Sequence, residues 1–183
     1  TSPDAKAIRD RVRNFLHNDA YSVRNSNIVF VCGGNDDVHM RSRFREYAKD
    51  QLTEYKIYLP EYSFQNMFSL ADDGLRFIDL SKFEATVAAL SCCVILFPEA
   101  PGSLVELGLF SANNSIVERL LLVIDSHHDN GKDSFIMLGP VNKINIDSRY
   151  RPVFIDSYDE MNFDKIKNRI KERFNISSRH KKA

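Results

Sequence analysis

At 183 residues with 43% apolar side chains, the chain can bury one substantial core without disulfides or a structural metal, so one domain is the default expectation. No apolar run reaches the roughly 18–20 residues needed to cross a bilayer, and the first residues form neither a secretory signal nor a transit segment. Three cysteines, with Cys92 and Cys93 adjacent, fit neither a disulfide framework nor a zinc site, which makes a soluble protein of the reducing cytoplasm the simplest reading.

Charge balances at 25 basic against 25 acidic residues, but unevenly. The segment Lys165 to Ala183 holds eight Lys/Arg and one acid, Glu172, leaving 17 basic and 24 acidic residues, a formal charge of −7, ahead of it. A polyanion would be met there, unless the segment is a solvated helix whose cations complement its own dipole.

In chain order, Ser2-Pro3-Asp4 opens a helix, with Ser as N-cap, Pro at the first helical position, and Ile8, Val12, Phe15 and Leu16 at helical spacing. Ile28 to Cys32 is an unbroken apolar run closed by Gly33-Gly34, which suits a strand buried on both faces. A helix is expected from about His39 to Leu52, then a short strand from Lys56 to Pro60. Between Glu61 and Asp79 the pattern suggests a loop with a short helix. Ser81-Lys-Phe-Glu84 has capping-box spacing ahead of Val87, Ala88 and Leu90.

Cys92 to Phe97 reads as a central strand, followed by a helix from near Ser103. Leu120 to Ile124 is a fourth strand, Ser126 to Asp133 a polar loop, Pro152 to Ile155 a fifth strand, and Asp159 to about Phe174 the last helix. Strands alternating with helices, several of them continuous apolar runs, imply a Rossmann-like α/β parallel sheet of about five strands with helices on both faces. In such sheets ligands bind beyond the carboxyl ends of the strands, where Gly33-Gly34, Pro60-Glu61, Pro98 to Glu106 and Asp125 all fall.

Gly33-Gly34 permits close backbone approach to a phosphate, or makes a tight turn, and fits neither the dinucleotide fingerprint nor a Walker loop. Pro101-Gly102-Ser103 turns into a helix whose first turn contains Glu106. Two readings fit: a polar cradle beside a functional carboxylate, or a capping box in which Glu106 bonds back to Ser103. Glu99, at the tip of the same strand, puts a second carboxylate at the mouth. A carboxylate facing a ribose C1′ suits N-glycosidic chemistry, because the transition state is cation-like at that carbon. Glu84 serves either to hold sugar hydroxyls or to cap its helix. Asp125 with His127-His128-Asp129 lacks the spacing of fixed metal ligands, no nucleophile elbow is present, and Cys92 and Cys93 read as small buried apolar residues.

The motif Phe97-Pro-Glu-x-Pro-Gly-Ser-x-x-Glu-Leu-Gly108 resembles the nucleoside 2-deoxyribosyltransferase-like effectors of bacterial retrons. Val31-Cys-Gly-Gly34, Tyr58-Leu-Pro-Glu61 and Ser134-Phe-Ile-x-x-Gly-Pro-Val141 carry the same likeness, in the same order, across roughly Ile28 to Val141. The resemblance implies a flavodoxin-like fold over 27–160, with a packed helix over 1–26 and a basic helix and tail over 161–183. It implies self-association and a catalytic Glu106; on that reading Glu84 and Glu99 orient the ribose, Gly33, Gly34, Gly102 and Ser103 line the phosphate and sugar site, and Glu61 and Pro101 complete the expected substrate-binding set.

It further implies an antiphage toxin that cleaves the N-glycosidic bond of a nucleotide, with NAD⁺ as its target; from the residues, no cofactor, metal or membrane is expected. A reverse transcriptase with its msDNA and non-coding RNA would restrain it until phage attack. Fuller-length relatives continue into a winged-helix domain, and many carry Asp where this chain has Cys92. A non-catalytic nucleotide sensor and a salvage deoxyribosyltransferase are the competing functions on the same fold.

Overall fold

The computed structural model describes residues 10, 27–35, 37–61, 79–131 and 134–174. Strand β1 (Ile28–Cys32) is buried along its whole length, and its alternate side chains divide between two cores. Ile28, Phe30 and Cys32 join one cluster, and Val29 and Val31 the other. The same division recurs in β3 (Cys93–Leu96) and β4 (Leu120–Asp125), which explains why these strands read as continuous apolar runs.

With β2 (Lys56–Tyr58) and β5 (Val153–Asp156), the strands form a five-stranded parallel sheet in the order β2-β1-β3-β4-β5. This is the flavodoxin-like order, whose direction of winding reverses between β1 and β3. Cys32 pairs in register with Leu96, and Leu96 with Leu122.

Helices cover both faces. Helix α1 (Met40–Gln51) packs Met40, Phe44 and Ala48 on the Val29/Val31 side. On the opposite side lie α2 (Leu80–Leu90), α3 (Pro101–Ser111), α4 (Asn114–Val117) and α5 (Asn142–Asp147), through Phe83, Leu107, Phe110, Ile116 and Ile144. Helix α6 (Asp164–Phe174) returns to the first side, with Ile166, Ile170 and Phe174 buried. Just ahead of it, Phe163 meets Phe44 edge-on at 5.4 Å between ring centroids.

The expected strands match to within a residue or two, and the helix starts differ for identifiable reasons. Helix α3 begins at Pro101, not Ser103, because Ser103 sits in its first turn and bonds back to Ala100: Oγ accepts from the Ala100 N–H at 3.0 Å and donates to its carbonyl at 2.8 Å. Helix α2 begins at Leu80, with Asp79 as N-cap accepting from the Lys82 N–H at 2.8 Å, so Ser81-x-x-Glu84 is not its capping box. The last helix starts at Asp164 in place of Asp159; Asn162 Oδ1 accepts from the Asp164 N–H at 2.9 Å.

The polar stretch after β4 winds into a 3-10 turn over Ser126–Gly131. Residues 135–147, for which no helix is expected, are helical with a π turn over Met137–Val141, a widening that accommodates Pro140 and its missing N–H. The expected opening helix, the segment 62–78 and the tail beyond 174 lie outside the described residues.

One cap comes from a distance. His39, the N-cap of α1, makes no side-chain capping bond. Glu99, beyond β3, supplies it: Oε1 and Oε2 accept from the Met40 N–H at 2.9 and 3.0 Å, and Oε1 from the Arg41 N–H at 3.4 Å. An anion here answers both the orphan donors and the helix dipole. Glu99→Ala is expected to lower stability by about 1–2 kcal/mol. Urea denaturation followed by circular dichroism measures this, and an unchanged midpoint would show that the cap contributes nothing.

Candidate active site

Four elements deliver titratable side chains to the carboxyl edge of the sheet at the β1/β3 reversal. Cys32 ends β1 and faces the α2/α3 side, where its thiol donates to the carboxylate of Glu106. Glu106 lies in the second turn of α3, and Glu84 on α2 is near enough for the two carboxyls to repel. From the other side of the sheet, Arg41 in the first turn of α1 reaches over the edge. Only 3% of its side chain is exposed, and Nη2 donates to Glu61 Oε1 at 2.9 Å.

The Gly33-Gly34 pair allows this approach. Gly33 has φ +156°, and a Cβ there would lie 3.0 Å from Arg41 Cβ and 3.2 Å from Glu99 Oε1. At Gly34 a Cβ would fall 2.1 Å from Cδ2 of the His39 ring. Both glycines thus let the end of β1 pack beneath the first turn of α1, which sets Arg41 above Cys32.

Burial dominates the electrostatics. It pushes Glu84 up to about 7, opposed by the charge of Arg41. Burial and then the neighbouring Glu84 push Glu106 up to about 8, opposed by the Cys32 thiol and Arg41. Burial, with Glu106 and Glu84 beside it, also holds Cys32 firmly as a thiol. Because the carboxyls interact, their protons belong to the pair. Near neutral pH the pair retains about one proton, so it combines an acid and a base in one place.

Other expected site residues divide as follows. Glu106 does not fold back onto Ser103; the capping interaction there belongs to Ser103 and Ala100. Pro101 and Gly102 are exposed at the start of α3, and a Cβ at Gly102 would meet nothing within 4 Å, so no steric demand calls for glycine at that position. Glu99 is engaged at the α1 N-terminus, with His39 Nδ1 3.4 Å away, and Glu61 on Arg41.

Arg41 and Cys32 were not anticipated. A signal for Arg41 exists: it occupies a core-facing position three residues ahead of Phe44 and seven ahead of Ala48, where an unpaired charge is costly.

Away from this cluster, His127 Nδ1 lies 2.8 Å from Asp125 Oδ1 and its ring stacks on His128 at 3.8 Å. Among the described residues no group of three or more His, Cys, Asp or Glu side chains is placed to hold a metal. Cys92 donates to the Ile28 carbonyl at 3.1 Å, and Cys93 is fully buried. Cations of α6 are spent locally: Lys165 on Asp156 at 2.6 Å, Lys167 on Asp164 at 2.6 Å, Lys171 on Glu54 at 3.5 Å, and Arg173 on the Glu118 carbonyl at 2.8 Å. No helix among the described residues is long and apolar enough to cross a membrane.

Glu84 and Glu106 bind their protons more tightly in the folded chain than in the unfolded one, where 4.5 is their ordinary value. Their contribution to stability is therefore complete below about pH 4.5 and is lost as the pH rises through about 7 to 8. Stability of Glu84→Gln should fall less than that of the native chain between pH 5 and about 9. Denaturation midpoints across that range test this, and parallel curves would contradict it.

Comparison with known proteins points to retron proteins. A protein of Escherichia coli named "Retron Ec86 putative ribosyltransferase/DNA-binding protein" is 36% identical over 116 residues, which cover 62% of this chain and 36% of the relative. The chain thus matches little more than a third of that relative's length. A model of the STM3845 retron effector protein family matches residues 37–183, a span that includes Arg41, Glu61, Glu84, Glu99 and Glu106. The chain, an α/β domain of flavodoxin-like strand order, belongs to the STM3845 retron effector family.

Proposed function

We propose that this retron effector is an antiphage N-glycosidase that cleaves a nucleotide at the ribose C1′, with NAD⁺ as the substrate. The placement of Glu106 carries this reading. Its carboxyl is free of the helix cap and faces Glu84 and Arg41 at the strand-order reversal, where sheets of this topology bind ligands. Membership of the retron effector family supports the antiviral role and restraint by a reverse transcriptase with its msDNA. The ribosyltransferase in the relative's name agrees with glycosyl transfer.

The chemistry follows from charge. As the C1′–N bond breaks, its electron pair leaves with the base and positive charge grows at C1′, where an ionised Glu106 stabilises it or attacks. Water then adds at C1′, and its proton passes to a carboxylate. Nicotinamide leaves a cationic linkage as a neutral base and needs no proton. Its positive ring also opposes the repulsion between Glu84 and Glu106, so a bound cation lowers both proton affinities and ionises the pair. The oligomeric state implied by the resemblance belongs to the same proposal.

A second reading has one observation in its favour. The proton that the pair retains near neutral pH supplies the general acid that a neutral purine or pyrimidine leaving group requires, which would extend the substrates beyond NAD⁺.

Incubation with NAD⁺, in the absence of any retron partner, is expected to release nicotinamide. Glu106→Gln should lower the rate by about 10² to 10⁴. Unchanged NAD⁺ despite tight binding would replace the enzyme with a sensor. The pH profile separates the two substrate classes. For NAD⁺, kcat/KM, which reports the free protein, should rise through about pH 7 to 8 and level off as both carboxyls ionise, while kcat rises at lower pH. Cleavage that needs the retained proton should peak between those values and fall above about 8.

A further inference from the structure

We infer that Arg41 and Glu61 act as a charge-setting couple, in which the buried guanidinium governs the ionisation of Glu84 and Glu106, and the outer carboxylate limits how much of its field reaches them. This makes Arg41 a positioning residue, and it deepens the reading in which Glu106 is the reacting group.

The geometry is specific. Arg41 is 3% exposed, while its partner Glu61 is 44% exposed and lies beyond β2, on the far side of β1 from β3. The guanidinium therefore bridges from the site to the neighbouring strand's exit. Its Cβ packs against Gly33, the residue after Cys32, and the Cys32 thiol bonds to Glu106. Facing Arg41 among the described residues are Glu61, Glu84, Glu106 and Cys32, with Glu99 and His39 at its own backbone.

Glu99 is answered by the α1 N–H groups and Glu61 by Nη2, so the two remaining carboxyls share what is left of one positive charge. Two half-buried carboxylates against part of one cation cannot both ionise cheaply, and the pair keeps a proton. Arg41 opposes the rise of both carboxyls, as this arrangement requires. Removing the guanidinium should raise their proton affinity. Removing the charge of Glu61 should lower it, because Arg41 then turns its full field on the pair. A salt bridge that only braced the fold would not shift the pair in opposite senses on removal of one partner or the other.

The test is infrared titration of the whole chain, labelled with ¹³C at glutamate side chains, from pH 5 to about 10 without substrate. The native chain should show carboxyl bands that disappear near pH 7 to 8. Arg41→Gln is expected to move them upward by roughly 1 to 3 pH units, and Glu61→Gln to move them downward, with Arg41→Lys close to native.

Should Arg41→Gln fail to fold, Glu61→Gln and Arg41→Lys decide alone, since the Glu61 side chain is exposed and Lys keeps the charge. Unmoved midpoints, shifts of the same sign in Arg41→Gln and Glu61→Gln, or no glutamate titrating near neutrality would each overturn the inference. Because the readout uses no substrate, a chain that shows these shifts yet leaves NAD⁺ and nucleotides intact would sink the glycosidase reading and leave this one standing.

Discussion

The constraint on which this site depends is the confinement of two half-buried carboxyl groups against a single, already shared guanidinium. Each part of the surrounding structure either creates that arrangement or tolerates it. Reversal of strand order between β1 and β3 opens the edge into which Glu84, Glu106 and Arg41 converge from three helices on two faces. The glycine pair after β1 removes the side chains that would hold α1 away. Glu99 satisfies the first turn of that helix, so the residue carrying the guanidinium starts from an anchored backbone. A buried ion pair stabilises little by itself, and a group of this kind is better understood as a device for holding charge in a chosen state.

The architecture was largely legible in the residues. Unbroken apolar runs marked β1, β3 and β4, and their alternation with amphipathic segments specified a parallel sheet covered on both sides. What failed were local starts and stops. Ser103 and Glu106 have the spacing of a capping box, but a proline two residues ahead of the serine lets the helix begin earlier, and Ser103 then caps from inside the first turn. Ser81 and Glu84 mislead in the same way, because Asp79 just upstream is the better cap. Residues 135–147 contain glycine and proline, which speak against a helix, and the π turn that accepts Pro140 has no simple spacing rule.

The site was legible in its carboxylates and not in their environment. Glu84 and Glu106 could be named from the motif and its surroundings, and the choice between capping and chemistry required knowing where each helix begins. Glu61 and Glu99 are occupied by partners that sequence spacing does not disclose: a guanidinium 20 residues away and a helix terminus 59 residues away. Arg41 is hard to read from the sequence because charged residues in a first helical turn usually face water, and only its phase relative to Phe44 and Ala48 hints otherwise.

The register of β1 against β3 has a consequence for biosynthesis. Cys32 pairs with Leu96, and the groups converging on that edge come from positions 32, 41, 84 and 106, so every contact among β1, α2 and α3 closes a long loop. During translation the first third of the chain can form α1 but has no third strand to pair with. The carboxyl pair comes into being only after the ribosome has passed residue 106 and the sheet has closed, a slow and highly non-local event. A nascent fragment of this protein therefore carries none of the assembled edge, and the interval before closure is the time in which a co-produced partner could meet the chain.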